Sequence, residues 1–167
     1  MNPIRTNCVV SSLAILLATA AALPAQCLFT TVTTWSVGAG CNVGSTGFCK
    51  SVGLPTTTSF SLDVSNCTLD IQVNLFEACG VVVPLRAVVI GFQQVAVPLP
   101  DFGVGCMLHV SPDVVLATAS GPIPLALPQG MLGFGFFAQS IALSIAPLGG
   151  AGGDAFTFSG GEAVILQ

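Results

Sequence analysis

Charged side chains are nearly missing from this chain: 167 residues carry three Lys or Arg and seven Asp or Glu, with one His, one Trp and no Tyr. So few cations exclude a nucleic-acid partner, because neutralising phosphates requires a basic surface. The single histidine restricts any histidine-based mechanism to His109. One tryptophan without tyrosine is meagre material for a sugar-stacking platform built from Trp35 and Phe76, so Trp35 reads as a core or disulfide-shielding residue. Also missing are heptads, any helical apolar period and, after the first 25 residues, any unbroken apolar run long enough to span a bilayer as a helix. A mean hydropathy of +0.91 must therefore be distributed over strands.

The chain begins MNPIR, followed by the apolar run CVVSSLAILLATAAAL and then LPAQ. This is the pattern of a secretory signal peptide, predicted over residues 1–25 with cleavage after Ala25. Residues 26–167 are long enough for one domain with a real core. That segment retains Lys50 and Arg86 against Asp63, Asp70, Glu77, Asp101, Asp113, Asp154 and Glu162. Of the seven cysteines, Cys8 lies in the leader, leaving Cys27, Cys41, Cys49, Cys67, Cys79 and Cys106. An even set in an exported chain predicts disulfides, with the pairing left open. Zinc is disfavoured, because no two cysteines have ligand-pair spacing and the lone histidine completes no cluster.

Short apolar runs separated by Gly and Pro predict an all-β domain. Phe60, Leu62 and Val64 alternate with Ser59, Ser61 and Asp63; after a turn at Ser65-Asn66-Cys67, Leu69, Ile71, Val73 and Leu75 alternate with Asp70, Gln72 and Asn74. Two half-buried strands joined as a hairpin are expected. VVVPLRAVVIGF reads as a strand covered on both faces and broken at Pro84. In CMLHV, Leu108 and Val110 point one way while His109 points outward with Met107. Between Gly133 and Ile145 the apolar parity changes from Phe134 and Phe136 to Phe137, Ile141, Leu143 and Ile145, predicting a bulge near Gly135. Gln139 falls among the apolar set and must find hydrogen-bond partners if buried. About eight to ten strands imply an antiparallel β-sandwich, jelly-roll or Ig-like.

Gly149-Gly150-Ala151-Gly152-Gly153-Asp154-Ala155-Phe156-Thr157 matches the calcium-binding nonapeptide of parallel β-rolls, with Asp154 as the acidic ligand. The next nine residues, FSGGEAVIL, do not repeat it, so a Gly-rich loop is the preferred reading and no cofactor is assigned. Asp101 and Asp113 lie near His109 in sequence, yet no Gly-x-Ser-x-Gly nucleophile elbow accompanies them, and no catalytic residue is assigned.

Four segments, Gly38-Ala39-Gly40-Cys41, Gly105-Cys106-Met107-Leu108-His109-Val110-Ser111-Pro112-Asp113, Leu127-Pro128 and Phe136-Phe137-Ala138-Gln139, carry a resemblance. The chain resembles the uncharacterised Gly/Pro/Leu-rich exported β domain of planctomycete-type bacterial secreted proteins. It departs from that pattern at Cys27, Cys49, Cys67 and Cys79, and at Gly160-Gly161-Glu162, where Ser-Asn-Gly is common. The resemblance implies a compartment and an architecture, and it singles out Cys41 and Cys106, each behind a Gly-x-Gly, as a pair. Cys67 with Cys79, and Cys27 with Cys49, complete the expected scheme.

The resulting expectation is a non-catalytic structural or adhesive module, secreted or on the cell surface. Its partners would be other copies of itself or envelope components. An extracellular polysaccharide-binding module is the alternative, and a secreted hydrolase stands third.

Overall fold

The computed structural model describes residues 27–43, 56–75, 82–102, 105–127, 133–145 and 155–167. Among the described residues twelve strands form, in chain order β1 Val32–Ser36, β2 Cys41–Val43, β3 Thr57–Asp63, β4 Thr68–Asn74, β5 Val82–Gly91, β6 Gln94–Pro98, β7 Met107–Val110, β8 Val114–Thr118, β9 Ile123–Ala126, β10 Gly135–Ile145, β11 Ala155–Phe158 and β12 Glu162–Leu166. Every ladder is antiparallel. The all-β sandwich class is as expected from the sequence, with more and shorter strands than the apolar runs alone delimit.

The main sheet is built on β10. One side of β10 pairs with β5, which pairs with β8; the other side is shared by β12 and then β11, flanked in turn by β1 and β2. The registers show that β11 and β12 are two halves of one passage along β10, as are β1 and β2 along their neighbours. Between the halves lie residues 139–140 of β10, 159–161 of the next passage and 37–40 of the outermost. Each passage outward thus inserts one more residue at the same level, a stack of bulges.

A second sheet, β3-β4-β9, lies against one face of the main sheet. Leu69, Ile71, Val73 and Ile123 from it meet Val88, Ile90, Phe136, Ala138, Ala142, Val164 and Leu166 in one buried cluster with Phe29. Each large side chain so buried contributes about 1.5–3 kcal/mol. The predicted hairpin is present as β3 and β4, from Thr57 opposite Asn74 to Asp63 opposite Thr68. At its tip the side-chain amide of Asn66, donating to Asp63 at 2.7 Å, holds the Asp63 carboxyl below its ordinary range. Val64, predicted to face the core, is exposed in that turn.

The predicted bulge near Gly135 does not occur. From Phe136 to Ser144 the even-numbered residues are the buried face toward the second sheet, and they are small after Phe136: Ala138, Ser140, Ala142 and Ser144. Small residues suffice because β4 supplies the bulk from the opposite sheet, and Thr58 can then share a 2.6 Å hydrogen bond with Ser140 across the interface. Phe137, Ile141 and Leu143 occupy the other face and are half-buried. The irregularity sits at the far end, where the register shifts between Leu143 opposite Leu85 and Ile145 opposite Val82. One extra β5 residue there accommodates Pro84, so β5 continues through a proline predicted to break it.

Two disulfides staple the described residues. Cys41–Cys106 joins β2 to the start of β7, as the resemblance implied. Cys67 is bonded to Cys27, which overturns both other expected pairs. The chain does not turn back directly after Cys67: β4 runs extended from Thr68 to Asn74 and carries it about 20 Å away. The segment entering β1 instead passes beside the hairpin tip, where Cys67 adopts a left-handed φ of 50° and its carbonyl accepts the Leu127 N–H at 3.0 Å. Cys49, Cys79, Phe76 and the predicted leader lie outside the described residues. Non-reducing peptide mapping should recover Cys41–Cys106 and Cys27–Cys67 as linked pairs; a Cys67–Cys79 peptide would contradict this topology.

Candidate functional site: the outer face and edges of the main sheet

The face of the main sheet away from β3-β4-β9 is partly covered by the two-stranded β6-β7 unit. Beneath it lies a second, smaller set of buried apolar residues, Ala87, Val89, Cys106, Val110, Phe158 and Ala163, none of which belongs to the main cluster. Phe102, on the Pro100–Phe102 turn, closes one end by edge-on contacts with Phe156 and Phe158, ring centroids 5.4 and 5.2 Å away.

Gln139 fixes this layer. It is fully buried, as its place among apolar neighbours in the sequence required. Its Oε1 accepts the His109 N–H at 2.8 Å, and its Nε2 donates to Met107 O and to Ser159 O, both at 3.0 Å. The His109 N–H and Met107 carbonyl flank Leu108 on one edge of β7, the edge not taken by β6. The amide of one side chain therefore does what a neighbouring strand would do. Beside it Ser159 closes the gap between β11 and β12: its N–H donates to Ser140 O at 2.9 Å, and the Ser140 N–H donates to Ser159 Oγ at 2.7 Å.

His109 is not the outward-facing residue predicted. It is half-buried, and its imidazole lies against the bulge stack: a Cβ at Gly38 would overlap the ring, one at Gly161 would overlap its Cβ, and one at Gly160 would strike the Gly38 carbonyl. These three glycines are needed for close approach. Nε2 sits 3.0 Å from the Ala39 carbonyl, which can only accept, so that nitrogen carries the proton. Neither candidate acid joins it. Asp113 accepts the Phe92 N–H and the Ser111 hydroxyl, each at 2.9 Å, while Asp101 is exposed on the Pro100–Phe102 turn. His109, Asp101 and Asp113 are therefore not brought together as a catalytic group. Asp154 lies outside the described residues, among which no group of three or more His, Cys, Asp and Glu could hold a metal ion. Nor, among these residues, is any helix long and apolar enough to cross a membrane.

What remains is the pair of outer strands, β1 and β8, which are uncharged. Trp35, expected in the core, is 49% exposed on β1, in line with Ala163 and Phe137 across three strands. Its exposure follows from position: β1 is an outermost strand, and Thr33, Thr34 and Ser36 are exposed with it. At the opposite margin β8 exposes Val114 and Val115 by 42% and 59%. Neither β1, reading VTTWS, nor β8, reading VVLAT, contains a charged residue or a proline. Comparison with known proteins gave no matching family model, no similar curated protein and no similar solved structure.

Two outcomes follow from this geometry. Gln139→Leu leaves the His109 N–H and Met107 carbonyl without their partner and should lower stability by about 2–4 kcal/mol in urea denaturation. Glu162, half-buried at the start of β12, has its carboxyl held above the usual range by burial. The folded state then binds more protons than the unfolded one between the ordinary and the raised value, so stability falls as pH rises through that window. Its partial exposure screens the effect. Glu162→Gln should raise Tm at pH 7 by about 1–2 °C and leave it unchanged well below the carboxylate range, as followed by circular dichroism.

Proposed function

We propose that this chain is a non-catalytic structural or adhesive module of the cell envelope that acts by associating with other copies of itself. The observation that carries the reading is the pair of uncharged outer strands on the main sheet. Strand edges are ordinarily guarded by lysine, proline or bulges, because an open row of backbone N–H and C=O groups recruits further strands. Here β1 and β8 carry Val, Thr, Ala, Leu, Ser and Trp only. The two disulfides fit an oxidising compartment, and the resemblance to exported planctomycete-type β domains supports reading that compartment as one outside the cytoplasm.

A second reading is favoured by one observation, the exposure of Trp35. An indole presented on an uncharged strand with Thr33 on the same face suits stacking against the apolar face of a sugar ring. Light scattering of the purified mature protein over a wide concentration range separates the two. Self-association should appear as a mass that rises with concentration and is indifferent to added polysaccharide. A constant monomer mass, with glycan-array binding lost on Trp35→Ala, would favour the sugar-binding reading instead.

A further inference from the structure

We propose that β8 is a homodimerisation edge, at which two copies of this chain join by antiparallel, two-fold pairing of Val114–Thr118 with its own counterpart. The inference rests on the self-association reading above and specifies its surface and symmetry. Among the described residues β8 pairs with β5 alone, so its outer row of backbone donors and acceptors is open. Such a row recognises an extended strand, by main-chain hydrogen bonds rather than by side-chain chemistry.

The other margin is the poorer candidate. There β1 and β2 are separated by residues 37–40 at the bulge stack, and Cys41 is tied to Cys106, so the edge is broken and bent. Interruptions of this kind protect an edge from pairing. By contrast β8 is five residues in unbroken register with β5, from Val114 opposite Ile90 to Thr118 opposite Arg86.

The direction of the strands selects the symmetry. With every ladder antiparallel, β1 and β8 both run parallel to β10. Stacking copies by translation would place β1 of one beside β8 of the next in parallel, the weaker pairing and unlike any ladder in this sheet. A two-fold axis normal to the sheet brings β8 against β8 antiparallel and closes the assembly as a dimer. Centred on Leu116, it sets Val114 opposite Thr118 and Val115 opposite Ala117. Residues of like parity then share a face, and the second sheets of both copies lie on the same side. No like charges meet, the exposed Val115 gains Ala117 as its cross-strand neighbour, and Leu116 meets its own counterpart.

Sedimentation equilibrium on the mature protein, Val115→Lys and Thr34→Lys tests this, with thermal melts confirming that both variants fold. Expected are a monomer–dimer equilibrium for the wild type, a dissociation constant raised about tenfold or more by Val115→Lys, and no change from Thr34→Lys on β1. Association unaffected by Val115→Lys, association lost with Thr34→Lys, or mass growing without limit past the dimer would each overturn the β8 assignment while leaving self-association standing. A wild type that stays monomeric at the highest concentration would instead remove the self-association reading itself, and this inference with it.

Discussion

The three layers of this protein depend on one buried amide. Gln139 replaces a missing strand: with two atoms it satisfies a backbone donor and a backbone acceptor on the inner edge of β7, and it reaches Ser159 on its own sheet as well. An isolated two-stranded unit such as β6-β7 is marginal in water. Docked on a polar side chain whose own desolvation is balanced only in this arrangement, it acquires one position rather than many. The glycines at 38, 160 and 161 serve the same docking from the other side, by letting the His109 ring and the backbone of the outer strands come into contact.

Much of the interior is then explained by coverage on both faces. A sheet buried on one side alternates large apolar and polar residues, and β3 and β4 do so clearly enough to be read from the sequence. In β10 both faces are covered, one by the second sheet and the other by β6-β7. Alternation there reports which neighbour supplies the bulk: the better-buried face carries Ala138, Ser140, Ala142 and Ser144, while the larger Ile141 and Leu143 are half-buried. For the same reason the parity change around Phe136 and Phe137 carried no bulge, and the bulge in the β10–β5 ladder was hidden at Pro84.

The candidate surface was less legible than the fold. That Gln139 needed partners followed from its setting, but no local pattern names them, because Met107, His109 and Ser159 are contributed by distant segments. Trp35 was misplaced because its type favours burial, whereas exposure is set by strand order in the sheet, and that order is not encoded near Trp35. The same limit governed the cysteines: the Gly-x-Gly setting of Cys41 and Cys106 identified a true pair, but Cys27 meets Cys67 only through the route of the chain into β1.

The widening series of linkers, residues 139–140, then 159–161, then 37–40, can be treated as concentric arcs. An outer arc is longer than an inner one where the path turns within the plane of the sheet, and bulged strands bend. One extra extended residue per interstrand spacing corresponds to a turn of up to about 40°. Bends of this kind would open the strands from β10 outward like a fan at the level of Gln139. Changing the length of any one of the three linkers would alter the fan's angle unless its neighbour changed too, so their lengths should vary together among relatives rather than independently.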